Sequence, residues 1–181
     1  NQPVEARADF ESFIARYPRH QLSKEARLWR ALSFFAEREY ATALEALKAL
    51  APTVKGGRLE PEVAYRIAST YYAMRDYESA LSSINAYLNS YPQHTRIDEA
   101  RVLLGDIEMG RGELATARAI FMEISPNAGH LFVYSAFQAG KILRAVAGAA
   151  ENKVARDRLL SSHIEHFQNY LDREDCLLYT S

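Results

Sequence analysis

Two histidines and a glutamate near the end of the chain have residue types and spacing that suit metal binding. His163 and His166 are three residues apart, so a helix would place both imidazoles on one face beside Glu165. Zinc held in this way needs further protein ligands, and no third ligand is nearby in the sequence. His166 also precedes Phe167 on the side of the helix that we expect to face water. We therefore predict ordinary surface or groove histidines and no metal site.

Other templates for catalysis and cofactor binding are missing from the sequence. No glycine-rich phosphate loop, no His-Glu-x-x-His and no Gly-x-Ser-x-Gly occurs. Gly110-Arg111-Gly112 is typical of a turn between two helices. His20 and His94 both follow a Tyr-Pro pair, so we predict that they share a structural role. The sequence thus predicts no enzyme and no cofactor.

Composition and charge narrow the class of protein further. Apolar residues make up 48% and charged residues 25% of the 181 residues, which is the composition of an ordinary folded protein. The 22 basic and 23 acidic side chains give a net charge of −1. A nucleic-acid partner is not expected, because affinity for phosphates comes mainly from clustered Lys and Arg. No run of about 18 apolar residues, the length that spans a membrane, is present.

The two ends of the sequence carry separate expectations. The chain begins at Asn1 without an initiator Met, so the lack of a signal peptide says nothing about location. Cys176 is the only cysteine, which leaves no disulfide framework and no zinc site. It opens residues 176–181, a segment that resembles the translated read-through at the end of many metagenomic reading frames. We expect residues 173–181 to be a non-native tail.

The chain contains an internal repeat of 37 residues, because shifts of 37 and of 74 residues both superimpose similar side chains. At the larger shift the identities include Ala6, Tyr17, Pro18, His20, Glu25, Ala26 and Arg27, which fall on Ala80, Tyr91, Pro92, His94, Glu99, Ala100 and Arg101. A repeat of this length predicts an α-solenoid.

Each repeat reads as two amphipathic helices. Apolar and aromatic residues recur at spacings of three and four, as one buried helix face requires, so the Tyr and Phe stripes are predicted to be core. Arg75-Asp76 leaves room only for a tight turn, which makes neighbouring helices antiparallel. The predicted helices are 3–17, 22–37, 40–51, 60–75, 77–91, 96–110, 113–124, 130–148 and 154–172.

This pattern resembles the tetratricopeptide repeat, whose small positions occur here one by one. The small residue of the first helix in each pair is Ala31, Ala68, Gly105 and Gly140, and the small residue that opens the second helix is Ala6, Ala43, Ala80 and Ala117. The resemblance covers residues 3–172 and implies an all-α fold, in which antiparallel helix pairs stack into a right-handed superhelix.

The resemblance also implies the domain organisation. We predict one array over residues 1–172, with an unpaired helix at 3–17 and repeats at about 22–51, 60–91, 96–124 and 130–172. The repeat departs from the family length of about 34 residues, so either the loops at 52–60 and 126–130 are longer or the helices extend by part of a turn. Residues 147–157 are predicted to be an insertion.

In this family the first helix of each pair lines a concave groove, and a peptide or partner protein is the implied ligand. By register, the groove residues are Leu28, Leu32, Phe35, Tyr65, Ser69, Tyr72, Val102, Asp106, Met109, Phe137, Lys141 and Arg144. The alternative is that Leu28, Leu32 and Phe35 only fill gaps between helices.

The segments around Tyr17-Pro18 and Tyr91-Pro92 resemble a bacterial subgroup of the family. The subgroup includes the lipoprotein subunit of the outer-membrane β-barrel assembly machinery and the periplasmic TolA-binding coordinator of cell division. The resemblance implies a protein-binding scaffold at the periplasmic face of the outer membrane. Two alternatives stay open: an accessory region of a larger envelope enzyme, and a cytoplasmic adaptor. The oligomeric state is not predicted.

Overall fold

The computed structural model describes residues 2–149, 153, 154, 157, 158, 160–162, 164 and 165. Helices account for all regular structure in this part of the chain, and it contains no strand. The elements are α1 (Gln2–Arg16), α2 (Ser23–Ala36), α3 (Tyr40–Val54), α4 (Glu60–Ala73), α5 (Tyr77–Ser90), α6 (Ile97–Arg111), α7 (Leu114–Met122), the 3₁₀ helix η1 (Pro126–Ala128) and α8 (His130–Ala149). Over the same residues, no helix is both long and apolar enough to cross a bilayer.

The predicted all-α fold is confirmed, and α1 to α8 begin and end close to the predicted residues. The largest departure is α3, which was predicted to end at residue 51 and continues through Pro52 to Val54. Proline lacks an N–H, which weakens a helix interior. Here Val54 is 3% exposed and belongs to a core cluster with Leu47 and Leu50, so its burial outweighs the missing hydrogen bond.

Several predictions fall on residues outside the described part of the chain. They are the metal-binding alternative at His163 and His166, most of the helix at 154–172, and the tail at 173–181. The extent of the array, the insertion at 147–157 and the hand of the superhelix also stay predictions.

The turn between paired helices has the same backbone in three places, 37 residues apart. Its central residue is Arg38, Arg75 or Gly112, with φ between 61° and 85°. The residue that follows donates its N–H to a carbonyl five residues earlier, at 2.9 to 3.0 Å. This left-handed ending closes an α-helix and starts the next one antiparallel to it. The period read from the side chains is therefore also a period of the backbone.

The chain divides into two compact units, Asn1–Leu103 and Leu104–Ser181, and the division falls inside α6. In the first unit each helix from α1 to α5 packs against the next. Four of the predicted small residues lie at these contacts and are 0% exposed: Ala31, Ala43, Ala68 and Ala80. A methyl group is the largest side chain that such closely packed backbones accept.

In the second unit α7 packs against α8. Ala117 is fully buried, and the ring of Phe121, 1% exposed, lies against Gly105. A Cβ atom built on Gly105 would be 2.6 Å from Cε1 of Phe121, so only glycine fits this position without a rearrangement. Two predicted small positions, Ala6 and Gly140, are half-buried.

Candidate protein-binding surfaces

The two Tyr-Pro-x-His segments hold their histidines in the same structural role, as predicted. Nδ1 of His20 accepts the backbone N–H of Leu22 at 3.1 Å, and Nδ1 of His94 accepts that of Arg96 at 3.3 Å. Each imidazole thus supports the backbone that leads into the next helix. His94 also bonds to the hydroxyl of the buried Tyr87 at 2.8 Å. Among the described residues, no three His, Cys, Asp or Glu side chains are grouped so that they could hold a metal ion.

Two of the predicted groove residues are buried, which corrects the prediction for them. Leu28 is 5% exposed and belongs to a core cluster with Ala31 and Leu47, and Val102 is 6% exposed. The predicted register gives the same position to Tyr65 and Phe137 in other repeats. Phe137 is 61% exposed and Tyr65 is half-buried, so burial differs among the residues that were predicted for this position.

In the first unit the remaining predicted residues are half-buried: Leu32, Phe35, Tyr65, Ser69 and Tyr72. The rings of Phe35, Tyr65 and Tyr72 are partly covered by aromatic residues of the following helix. The distance between ring centroids is 5.1 Å for Phe35 and Tyr40, 6.1 Å for Tyr72 and Tyr77, and 5.8 Å for Tyr65 and Tyr87. These aromatic pairs contribute to packing as well as to the surface, so truncating Tyr72 would disturb the fold.

An ion-pair network surrounds Tyr65, and sequence reasoning did not identify it. Glu62 accepts hydrogen bonds from Arg66 at 2.7 Å and from Arg96 at 2.6 Å, and Arg96 also pairs with Glu99. The guanidinium of Arg96 lies over the Tyr65 ring, 5.4 Å from its centroid. Burial raises the pKa of Tyr65, and the neighbouring Glu99 carboxylate adds to this effect. The repeated Glu25, Glu62 and Glu99 were the only sequence signal for the network.

We expect Glu62 to make stability depend on pH. Burial pushes the pKa of Glu62 upward, but hydrogen bonds and charge from Arg66 and Arg96 outweigh burial and hold it below the ordinary 4.5. The stabilisation is therefore complete above about pH 4.5 and is lost as the pH falls through the lower folded-state value. Glu62→Gln is expected to lower the free energy of unfolding by about 1 kcal/mol at neutral pH, since the pair is partly exposed.

Urea unfolding between about pH 7 and about pH 3 measures this dependence. The stabilities of the wild type and Glu62→Gln should converge as the pH falls, whereas Glu45→Gln, at an exposed position of α3, should follow the wild type throughout. A constant difference between wild type and Glu62→Gln at every pH would show that the carboxylate does not titrate as we infer.

Two large apolar side chains, in α2 and directly before it, are exposed and were not predicted to be so. Trp29, the only tryptophan, is 55% exposed, and Leu22 is 49% exposed. Leu22 directly precedes the first residue of α2, and Trp29 lies in the second turn of the helix. The exposure of Trp29 was not predicted, because helical periodicity assigns aromatic residues to the core.

The second unit brings together three of the predicted groove residues and one that was missed. Asp106 of α6 accepts a hydrogen bond from the Tyr134 hydroxyl at 2.7 Å. Nζ of Lys141 lies 5.7 Å from the centre of the Phe137 ring. Burial raises the pKa of Asp106, although the Tyr134 hydrogen bond and the charge of Lys141 oppose the shift. We define the α8 face as Tyr134, Phe137, Lys141 and Arg144, together with Asp106.

The α8 face follows one side of the helix. Its four α8 residues are spaced by three and four, and all four are exposed, whereas Ala136, Ala139 and Leu143 between them are buried. Met109 of α6, also predicted for the groove, is half-buried. The face thus offers two aromatic rings, two cations and one carboxylate to a partner.

Comparisons with known proteins agree with this architecture. A family model described as tetratricopeptide repeat matches residues 1–57, and a second, YfiO, described as outer membrane lipoprotein, matches residues 35–123. No curated protein sequence matches the chain. A kinesin light chain of Podospora anserina with nearly identical TPR-like repeats has a similar structure, with a TM-score of 0.68. It is 14% identical, and the match covers 96% of this chain and 90% of that one, so it shows the fold alone.

The paired helices, the repeated left-handed turn and the buried small residues define an α-helical repeat scaffold. Over residues 1–57 the chain is similar to the tetratricopeptide-repeat family, and over residues 35–123 it is similar to the outer membrane lipoprotein family. Repeats of this kind are interaction scaffolds in general, because stacked helix pairs present an extended surface to other proteins.

Proposed function

We propose that this chain is a protein-binding scaffold of the bacterial cell envelope, and that its α8 face captures a peptide or a partner protein. The observation that carries the proposal is Phe137, which is 61% exposed beside the cation of Lys141. A rigid aromatic ring that is solvated in the free protein gains free energy when a partner covers it. Such residues often become binding hot spots.

The chemistry of the α8 face indicates the kind of partner segment that fits it. Phe137 suits an apolar anchor, and Lys141 and Arg144 suit an acidic group next to that anchor. The carboxylate of Asp106 is held by Tyr134 and limits where a second negative charge can bind. A helix or extended segment with one apolar and one acidic residue matches these features. The net charge of −1 supports a protein partner rather than a nucleic acid.

The location and the mode of action are part of the same proposal. Similarity to the outer membrane lipoprotein family over residues 35–123 supports a place at the periplasmic face of the outer membrane. The repeat fold supports action by binding, without catalysis or a cofactor. Fractionation of the source cells would test the location, and recovery in the cytosol would contradict it.

Phe137→Ala is expected to weaken partner binding by about tenfold or more, because a hot-spot truncation costs about 2 kcal/mol. The melting temperature should change little, since the ring is mostly solvated. A photo-crosslinking residue placed at position 133, where Val133 is exposed four residues before Phe137, would trap the partner in envelope extracts. The amount of crosslinked partner recovered with and without Phe137→Ala then measures how much the substitution weakens partner binding.

Leu22→Ala is the matched control, because it removes an exposed apolar side chain directly before α2 and leaves the α8 face intact. Its partner recovery should equal that of the wild type. Equal recovery with Phe137→Ala, or a large loss of thermal stability in that variant, would contradict the proposal for the α8 face.

A further inference from the structure

A second surface feature, on the first unit, lies where α2 is flanked by α1 and α3. It is a crevice of about 250 Å³ lined by Ile14, Arg27, Arg30, Ala46, Ala49 and Leu50. We call it the arginine crevice. Arg27 and Arg30 are three residues apart on α2, so both guanidinium groups belong to one side of that helix. The other four lining residues are apolar.

Neither of the two arginines has an acid partner among the described residues, whereas five other arginines of the first unit have one. Arg7, Arg58, Arg66, Arg96 and Arg101 each pair with a carboxylate. Within the described residues, neither Arg27 nor Arg30 forms an ion pair, and the Nε–H of Arg30 is buried without an acceptor. Like charges three residues apart on a helix repel each other, and an unpaired buried donor is unfavourable. Folding alone therefore gives no reason for this pair.

The next repeat provides an internal comparison. One repeat further along, the positions of Ile14, Arg27 and Arg30 are taken by Ala51, Ala64 and Ile67. Those three residues help to line another crevice of about 280 Å³, whose remaining lining residues are not the equivalents of Ala46, Ala49 and Leu50. The repeat fold thus accepts small and apolar residues at both arginine positions. Two repeats further along, Arg101 takes the position of Arg27 and Leu104 that of Arg30. The pair of arginines, rather than Arg27 alone, therefore distinguishes the first crevice.

We propose that the arginine crevice binds an acidic side chain of a partner protein. Two guanidinium groups offer paired N–H donors to a carboxylate, which is the geometry of the strongest hydrogen-bonded ion pairs. The apolar wall of Ile14 and Leu50 matches the methylene groups of a glutamate side chain. The volume is below the roughly 300–1,000 Å³ of pockets for whole small molecules, so it suits one inserted side chain. The site uses no residue of the α8 face, and either site can exist without the other.

A hexaglutamate peptide with blocked ends is a suitable probe, with hexaglutamine as the uncharged comparison. In ¹⁵N-labelled protein, the Nε–H signals of Arg27 and Arg30 should shift in a saturable way with hexaglutamate only. The double variant Arg27→Ala/Arg30→Ile, which copies the next repeat, should bind at least tenfold more weakly. Its melting temperature should equal or exceed that of the wild type, because a repulsive pair has been removed.

Controls separate a specific site from general charge attraction. Arg19→Ala/Lys24→Ala removes two exposed cations and so the same amount of charge, and it should bind hexaglutamate as the wild type does. Equal weakening in both double variants would overturn the proposal. So would binding of inorganic phosphate at these arginines without binding of hexaglutamate.

A structural role for the arginines is also testable. If Arg27→Ala/Arg30→Ile unfolds, Arg27→Gln/Arg30→Gln keeps similar side-chain length without charge. A folded glutamine variant that has lost hexaglutamate binding would support the crevice as a carboxylate site. Loss of the fold in both variants would assign the arginines to the structure and overturn the proposal.

Discussion

Replacing Phe121 by alanine is expected to lower the free energy of unfolding by about 3–5 kcal/mol. The ring is 1% exposed, contacts the backbone of Gly105 directly, and lies 6.4 Å from the ring of Tyr134. Truncation removes the apolar burial of a whole ring and leaves a cavity that the helical backbones on either side cannot close. Urea unfolding followed by circular dichroism measures the loss.

Two glycine variants test the same contact from the other side. Gly105→Ala places a methyl group against Phe121 and should destabilise the protein, despite the better helix propensity of alanine. Gly148→Ala, where nothing lies within 4 Å of the new Cβ atom, should stabilise it by about 0.5–1 kcal/mol. Equal effects of the two substitutions, or a loss below about 1 kcal/mol for Phe121→Ala, would contradict the close packing of Phe121 on Gly105.

Leucine at Ala68 or at Ala80 is expected to destabilise the protein by about 1–3 kcal/mol. Both alanines are 0% exposed and lie in α4 and α5, which pack against each other. Three added carbon atoms have no space in a contact between closely packed backbones, so the helices must separate or distort. Contacts between α3 and α4 would be disturbed as well, since these two helices also pack against each other.

Ala86→Leu is the matched control, because Ala86 is exposed on α5 and the same side chain can extend into solvent there. Its effect should stay within about 0.5 kcal/mol. Thermal melts of the three variants measure these changes in stability. An unchanged midpoint for both Ala68→Leu and Ala80→Leu would mean that the repeat register is wrong.

The α8 face and the arginine crevice have different relations to stability. Phe137 is solvated, so its removal should affect binding alone, while Arg27 and Arg30 oppose folding slightly through repulsion. A residue that a fold does not need, or that weakens it, is a better indicator of function than a buried one. The α8 face and the arginine crevice are therefore better candidates for function than the packed small residues, which the fold requires.

The architecture could be predicted from the sequence because helix packing leaves a strong periodic record. Ala31, Ala68 and Gly105 recur at 37-residue intervals, since each contact between closely packed backbones excludes larger side chains. The boundaries of α1 to α8 followed from the same period and from the turn residues. Only the end of α3 was placed three residues early, because the burial of Val54 is a tertiary property that the presence of Pro52 conceals.

The sequence by itself determined the fold class, the helix order and the positions that must stay small. Only the tertiary structure decided which candidate surface residues reach the solvent: it buried Leu28 and Val102 and exposed Phe137, to which the predicted register gave the same position. The reason is that periodicity reports the direction of a side chain from its helix, whereas exposure also depends on side-chain length and on neighbouring helices. Ion pairs between neighbouring repeats also depend on the tertiary structure. The bond from Arg96 to Glu62 joins residues 34 apart, and no local pattern encodes it.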